Sequence, residues 1–174
     1  TDNNGIKHLF TAYKKYNHYT FGYLMKAKAN ADIYNKANRP LLVIASQDNR
    51  YKFVKHMIDN GANIDIRDRN GNTPLIGAVT SNRYYIVKLL LSKKVEKTVK
   101  KKIPIDSSDS ERKYKIIKEK IKVLALDINA VNKRKESALY KASKVKSLAM
   151  VELLLRSKAD PNTKNKYGDT PLIR

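Results

Sequence analysis

The chain matches itself when shifted by roughly 33 residues, and this recurrence limits its fold more than any single motif does. Take "GANIDIRDRNGNTPLIGAVTSNRYYIVKLLL" from Gly61 as the reference copy. "KANADIYNKANRPLLVIASQDNRYKFVKHMI" from Lys28 falls beneath it, with Pro40 under Pro74 after one gap and Asn49-Arg50-Tyr51 under Asn82-Arg83-Tyr84. "LDINAVNKRKESALYKASKVKSLAMVELLL" from Leu126 is a further copy, and "KADPNTKNKYGDTPLIR" starts another. The steps Asn63 to Pro74, Asp127 to Ala138 and Asp160 to Pro171 have equal length. Near the start, Leu9, Ala12, Phe21, Leu24 and Met25 are spaced for a helix pair without a Thr-Pro step, as expected of a first, capping unit.

The physical chemistry of the reference copy describes a turn and two helices. Gly71 suits a positive φ in the turn, and Asn38, in its place one copy earlier, is the next best residue for it. Thr73 is a good N-cap. Pro74 takes the first helical position, where its missing N–H costs nothing. Leu75, Ala78 and Val79 fall on one face, and the small Ala78 lets neighbouring helices approach. Asn82 can take the left-handed conformation that ends the first helix. Ile86, Val87, Leu90 and Leu91 give the second helix its apolar face.

These residues resemble ankyrin repeats. "NGNTPLIGAV" and "YGDTPLI" follow the family's Thr-Pro-Leu-His-x-Ala pattern closely, whereas "NRPLLVIA" and "ESALYKAS" follow it in part. The resemblance covers residues 5–94 and 123–174 and implies an all-α repeat solenoid: a stack of units, each a β-hairpin plus antiparallel helices. About five repeats are expected. They comprise a capping repeat at 1–29, repeats at 30–62 and 63–95, a degenerate repeat or Lys-rich insertion at 96–126, a repeat at 127–159 and the start of another at 160–174. The pattern's His is replaced by Leu42, Ile76, Tyr140 and Ile173, which implies loss of a side-chain hydrogen bond to the hairpin and modest stability.

Between Ser92 and Leu126 the pattern fades, and two readings stand. The spacing from Pro74 to Ala138, nearly two periods, favours a degenerate repeat with helices at about 108–115 and 117–125. The missing Thr-Pro-Leu favours an insertion. "SDSE" at 108–111 reads as a capping box opening a helix near Asp109, with Ile116, Ile117, Ile121, Leu124 and Ala125 as its buried face. The lysines of this stretch read either as a solvated loop or as a patch for an acidic partner or phosphates.

The remaining composition narrows the chemistry. Without cysteine there are no disulfides, thiolate chemistry or Cys-based zinc sites, and a reducing compartment is favoured. His8, His18 and His56 lie apart in sequence, so no metal ligand set is expected. The glycines are isolated, with no phosphate loop. Asp106, Asp109 and Glu111 lack the order of a calcium loop. No cofactor and no catalysis are expected. The net charge of +21 suits an acidic protein, nucleic acid or an anionic surface. An AT-rich genome yields the same Lys, Asn and Ile bias without selection, and such repeats in such a composition suit a protein directed at a host's proteins. Tyr interleaved with Lys in "YKKYNHY" could stack bases or lie half buried over a terminal helix. No signal peptide or spanning stretch is present. The Thr1 start and the "GDTPLIR" end read as those of a fragment.

A monomeric module that binds a protein, with nucleic acid as the alternative, is therefore expected. The resemblance places its contacts on the hairpin tips and the exposed side of the first helices. The tip residues are Tyr34, Asn35, Lys36, Arg67, Asp68, Arg69, Asn70, Lys133, Arg134, Lys135, Lys164, Asn165, Lys166 and Tyr167. The helix positions are Val43, Ser46, Gln47, Gly77, Thr80, Ser81, Lys141 and Lys144.

Overall fold

The computed structural model describes residues 3–27, 30–104 and 114–173. Four helix pairs follow one another: α1 (Asn3–Lys14) with α2 (His18–Lys26), α3 (Leu41–Gln47) with α4 (Tyr51–Asp59), α5 (Pro74–Thr80) with α6 (Tyr84–Ser92), and α7 (Ala138–Lys144) with α8 (Leu148–Arg156). A 3-10 turn at Pro171–Ile173 opens a further unit and packs on α7. The first helices α3, α5 and α7 stack on one another, as do the second helices α2, α4, α6 and α8. Each unit thus touches only its neighbours, the signature of a quasi-one-dimensional fold.

The helix ends follow from the residues named above. Thr73 Oγ accepts from the Ile76 amide at 3.3 Å, and Ser137 does the same for Tyr140 at 3.2 Å. Gly71, Asn38 and Asn82 have φ of 76°, 53° and 55°. In each pair the first helix closes the same way: the amides of Asn17, Arg50, Arg83 and Ser147 reach back to the carbonyls of Ala12, Ala45, Ala78 and Ala142. Those four alanines lie at most 5 % exposed, and their size lets the first helices stack closely. Leu9, Phe21, Met25, Ile86, Leu90, Met150 and Leu154 fill the space between the two layers.

Two further bonds recur along the stack. The Asp32 carboxylate accepts from the Asn63 amide, Asp65 from Asp127, and the Asn129 side chain from Asp160, all at 2.8–2.9 Å. Arg50 donates to the Tyr13 carbonyl and Arg83 to that of Gln47, each capping the first helix of the preceding unit. In the hairpins the pairing is limited to isolated bridges, Tyr34–Pro40 and Val131–Ser137.

The stretch after α6 corrects the helical expectation. β1 (Lys94–Pro104) and β2 (Tyr114–Leu124) pair antiparallel, from Lys94–Leu124 at the base to Pro104–Tyr114. The expected second helix at 117–125 is therefore a strand. The capping box at 108–111 lies outside the described residues. The residues explain the strand: Val95, Thr98, Val99, Ile103, Ile116, Ile117, Ile121 and Val123 are β-branched and stiff at χ1. From Lys120 to Val123 polar and apolar types alternate with the period of a strand.

The ribbon adds no helical layer to the stack: α7 packs directly on α5 and α8 on α6. At its base the Ala125 amide donates to the Lys93 carbonyl at 2.9 Å. Replacing residues 94–124 with one glycine should leave the helical circular dichroism intact. The unfolding free energy in urea should move by no more than about 1 kcal/mol, since the stack loses no interface. Loss of a single cooperative transition would show that the ribbon supports the stack.

Candidate interaction surface

Each hairpin tip is built on one side chain. Asn35, Asp68, Asn132 and Asn165 each accept, through one oxygen, the amides two and four residues ahead. This Asx arrangement fixes the turn without help from strands. Successive tips are then tied by main-chain bonds: the Lys133 amide donates to the Asn70 carbonyl at 2.9 Å and the Lys166 amide to that of Arg134 at 3.0 Å.

Several residues expected at the tips to face a partner serve the fold instead. Asp68 holds its own turn. Asn165 is 5 % exposed. Arg67 is exposed but donates to the Gly71 carbonyl and, at 2.6 Å, to the Val131 carbonyl of the next unit. Asn70 lends its carbonyl to the neighbouring tip while its side chain stays exposed. The exposed remainder is basic: Lys36 beside Tyr34, then Arg69, then Lys133, Arg134 and Lys135, then Lys164 and Lys166 beside Tyr167.

On the first helices the expected face is partly turned inward. Val43 and Ser46 are fully buried, and the Ser46 hydroxyl donates to the Leu42 carbonyl. Gly77 is buried too, and a Cβ there would stand 3.1 Å from Gln47 Cγ. The close stacking of α3 on α5 is the cause. Thr80 and Lys144 are exposed, Gln47 and Ser81 are partly buried, and the Lys141 side chain is largely buried. Gln47 accepts from Arg39 at 2.7 Å.

Behind the ridge of tips lies a polar hollow of about 280 Å³, between Gln47, Thr80, Asn132, Glu136 and Lys141. Glu136 is 5 % exposed, ion-paired with Lys141 at 2.5 Å and hydrogen-bonded by Asn132 at 3.1 Å. Burial opposes its charge, yet the bonds from Lys141 and Asn132 outweigh burial and hold its carboxyl below the usual range. The hollow is therefore zwitterionic, and the positive charge lies on its rim.

Two pairings escaped the sequence reading. Tyr140, in place of the repeat's His, accepts from Asn165 Nδ2 at 2.9 Å, so here the bond to the following hairpin is kept. His18 and His56, far apart in sequence, stack with ring centroids 6.4 Å apart. The signal available for the first was a hydroxyl at a buried pattern position, and for the second the shared outer face of α2 and α4. In "YKKYNHY", Tyr13 is core and hydrogen-bonds Asp48, with burial first and then Asp48 raising its pKa. Tyr16 is exposed beneath the Arg50 guanidinium, 3.5 Å from its ring centroid.

Among the described residues no three His, Asp or Glu side chains converge as a metal site, and no helix is long and apolar enough to cross a membrane. No curated protein matches the chain. A family model described as ankyrin repeats (3 copies) matches residues 9–101, and one described as ankyrin repeats (many copies) matches residues 124–174. Such repeats are generally protein–protein interaction modules and typically non-catalytic. With stacked helix pairs, Asx-built tips and these matches in hand, the chain belongs to the ankyrin repeat family.

Proposed function

We propose that this chain binds an acidic protein segment along the ridge of hairpin tips, with no chemistry of its own. The observation that carries this reading is the exposed row Arg69, Lys133, Arg134, Lys164 and Lys166 on tips bonded to one another. The tip carboxylate Asp68 is turned into its own loop. A rigid row of cations favours fast, salt-sensitive association with an acidic surface. The hollow behind it, with Thr80 and Lys141 in its lining, can accept polar side chains of the bound segment.

The test is affinity capture with the chain at two salt concentrations, followed by titration of the captured partner. Reversal of Arg69, Lys133 and Arg134 to Glu should weaken binding at least about a hundredfold, mainly through the on-rate at low salt. Arg67 is left intact because it braces two units. Unchanged affinity would sink the ridge as the contact face.

The inserted ribbon supports a second reading, polyanion binding. Its strands carry nine lysines against Glu96 and Glu119, and a two-stranded ribbon has the width of a DNA major groove. This reading requires log affinity to fall with log salt by about one unit per phosphate contact, and that slope to vanish when residues 94–124 are removed. A duplex or single-stranded probe that does not bind at low salt ends it.

A further inference from the structure

The outer layer carries a second groove that the ridge does not use. It runs between α2 and α4 with a volume of about 370 Å³, and only those two helices line it. Its groups are cationic or able to become so: Lys26 and His18 from α2, Lys52, Lys55 and His56 from α4. Among the described residues no carboxylate lines it. Asp59, which follows the groove on α4, is held by Lys55 at 2.6 Å and by Lys93, so that among the described residues Lys26 and Lys52 have no ion-paired carboxylate.

The packing keeps this cluster together. The His18 and His56 rings stack 23° from parallel, and the Lys52 ammonium stands 3.1 Å from His18 Nε2. That ammonium can donate there only to a neutral imidazole. Gly22 is what admits the His56 ring: a Cβ at position 22 would stand 2.7 Å from His56 Cε1. Tyr19 and Tyr23, both more than two-thirds exposed, form the rim. Like charges gathered without an acid are unfavourable in the free protein, and a bound anion reverses the sign of every one of these contacts.

We propose that this groove is an oxyanion site for a phosphate monoester. Lys26 and Lys52 supply the two charges that balance the dianion. His18 and His56 offer ring N–H donors, and the tyrosine rim lies against the group that carries the phosphate. The volume exceeds that of a bare phosphate and leaves room for such a group. The ridge of tips plays no part in it.

Burial and then His18 hold the His56 pKa below its ordinary value, with Lys26 and Lys55 acting in the same direction and Asp59 against them. The groups facing the two imidazoles are thus Tyr19, Tyr23 and Lys26 from α2, and Lys52, Lys55 and Asp59 from α4. Lys93 reaches Asp59 from the end of α6. An anion that keeps its charge over this range, such as sulfate, should favour the protonated His56 ring, so its binding should tighten as pH falls from 7.5 to 5.5.

The experiment is an NMR titration of the full chain, following the ring nitrogens of all three histidines. The probes are sulfate, which keeps its double charge across this range, phenyl phosphate and glycerol phosphate. Expected are saturable shifts at His18 and His56 with His8 as the internal control, and sulfate affinity about tenfold higher at pH 5.5 than at pH 7.5. The Lys26→Met and Lys52→Met substitutions change exposed side chains and should each weaken binding about tenfold at unchanged circular dichroism. Phenyl phosphate binding more tightly than glycerol phosphate identifies a phosphorylated aromatic side chain as the source, and equal affinities a small phosphate metabolite. Shifts that do not saturate, shifts shared equally by His8, or lysine variants that bind as the unaltered chain does would overturn the site.

Discussion

Replacing Glu136 with alanine should lower the free energy of unfolding by about 3 kcal/mol, because it strands a largely buried ammonium. The Lys141 side chain keeps 14 % of its exposure and has Glu136 as its partner at 2.5 Å, and the Asn132 amide bonds the same carboxylate. Removal of both charges, as Glu136→Leu with Lys141→Met, should recover most of the loss, since two apolar side chains leave no charge unpaired. Urea denaturation of Glu136→Leu, of Lys141→Met and of the double variant closes the cycle, and strict additivity would show that the pair is not coupled. The pH dependence follows from the direction of the shift. The folded carboxyl is held below its unfolded value near 4.5. Its stabilisation is complete above that value and is lost as pH falls through the folded value. The Glu136→Ala variant should therefore lack this part of the acid destabilisation.

Leu90→Ala should cost about the same, roughly 3 kcal/mol, by a different route. Leu90 is fully buried on α6, a helix that packs on α4, α5 and α8 together. Truncation there removes apolar transfer energy and leaves a cavity that surrounding helices fill only in part. In a stack where each unit touches only its neighbours, damage to the third unit weakens both of its interfaces. Hydrogen exchange should then show the amides of α7 and α8 opening separately from those of α3 and α4. A uniform increase along the whole chain would mean that the stack still unfolds as one body.

What could be read in the sequence was whatever depends on a few neighbouring residues. Thr73 as cap, Gly71, Asn38 and Asn82 at positive φ, and the apolar faces of α1, α2, α5 and α6 need only local sterics and helical spacing. The stack itself was legible because one unit recurs. The misreadings have a common cause in distance along the chain. The ribbon from Lys94 to Leu124 has about the length of one repeat, so its presence keeps the flanking units in phase and mimics a missing member. Its isoleucines suit both a helical face and an alternating strand, and only the partner strand decides between them. Val43, Ser46 and Gly77 occupy positions open in an isolated helix pair, but the neighbouring unit closes over them. The candidate surface was legible as a row of basic tips. That Arg67 and Asp68 belong to the fold was not, since their partners are main-chain atoms with no sequence signature. The His18–His56 groove depends on how α2 lies on α4, which no window of either helix contains.

The bond that an Asp or Asn side-chain oxygen of one unit accepts from the amide that opens the next is the same at Asp32, Asp65 and Asn129, although an inserted ribbon separates the second donor from its acceptor. Such a joint makes no reference to which unit stands on either side of it. During descent, a unit can therefore be copied, lost or split by foreign sequence through recombination at the hairpins, and each newcomer finds the acceptor that its predecessor used. Selection can in this way adjust the length of the basic ridge by counting units, without redesigning a single interface.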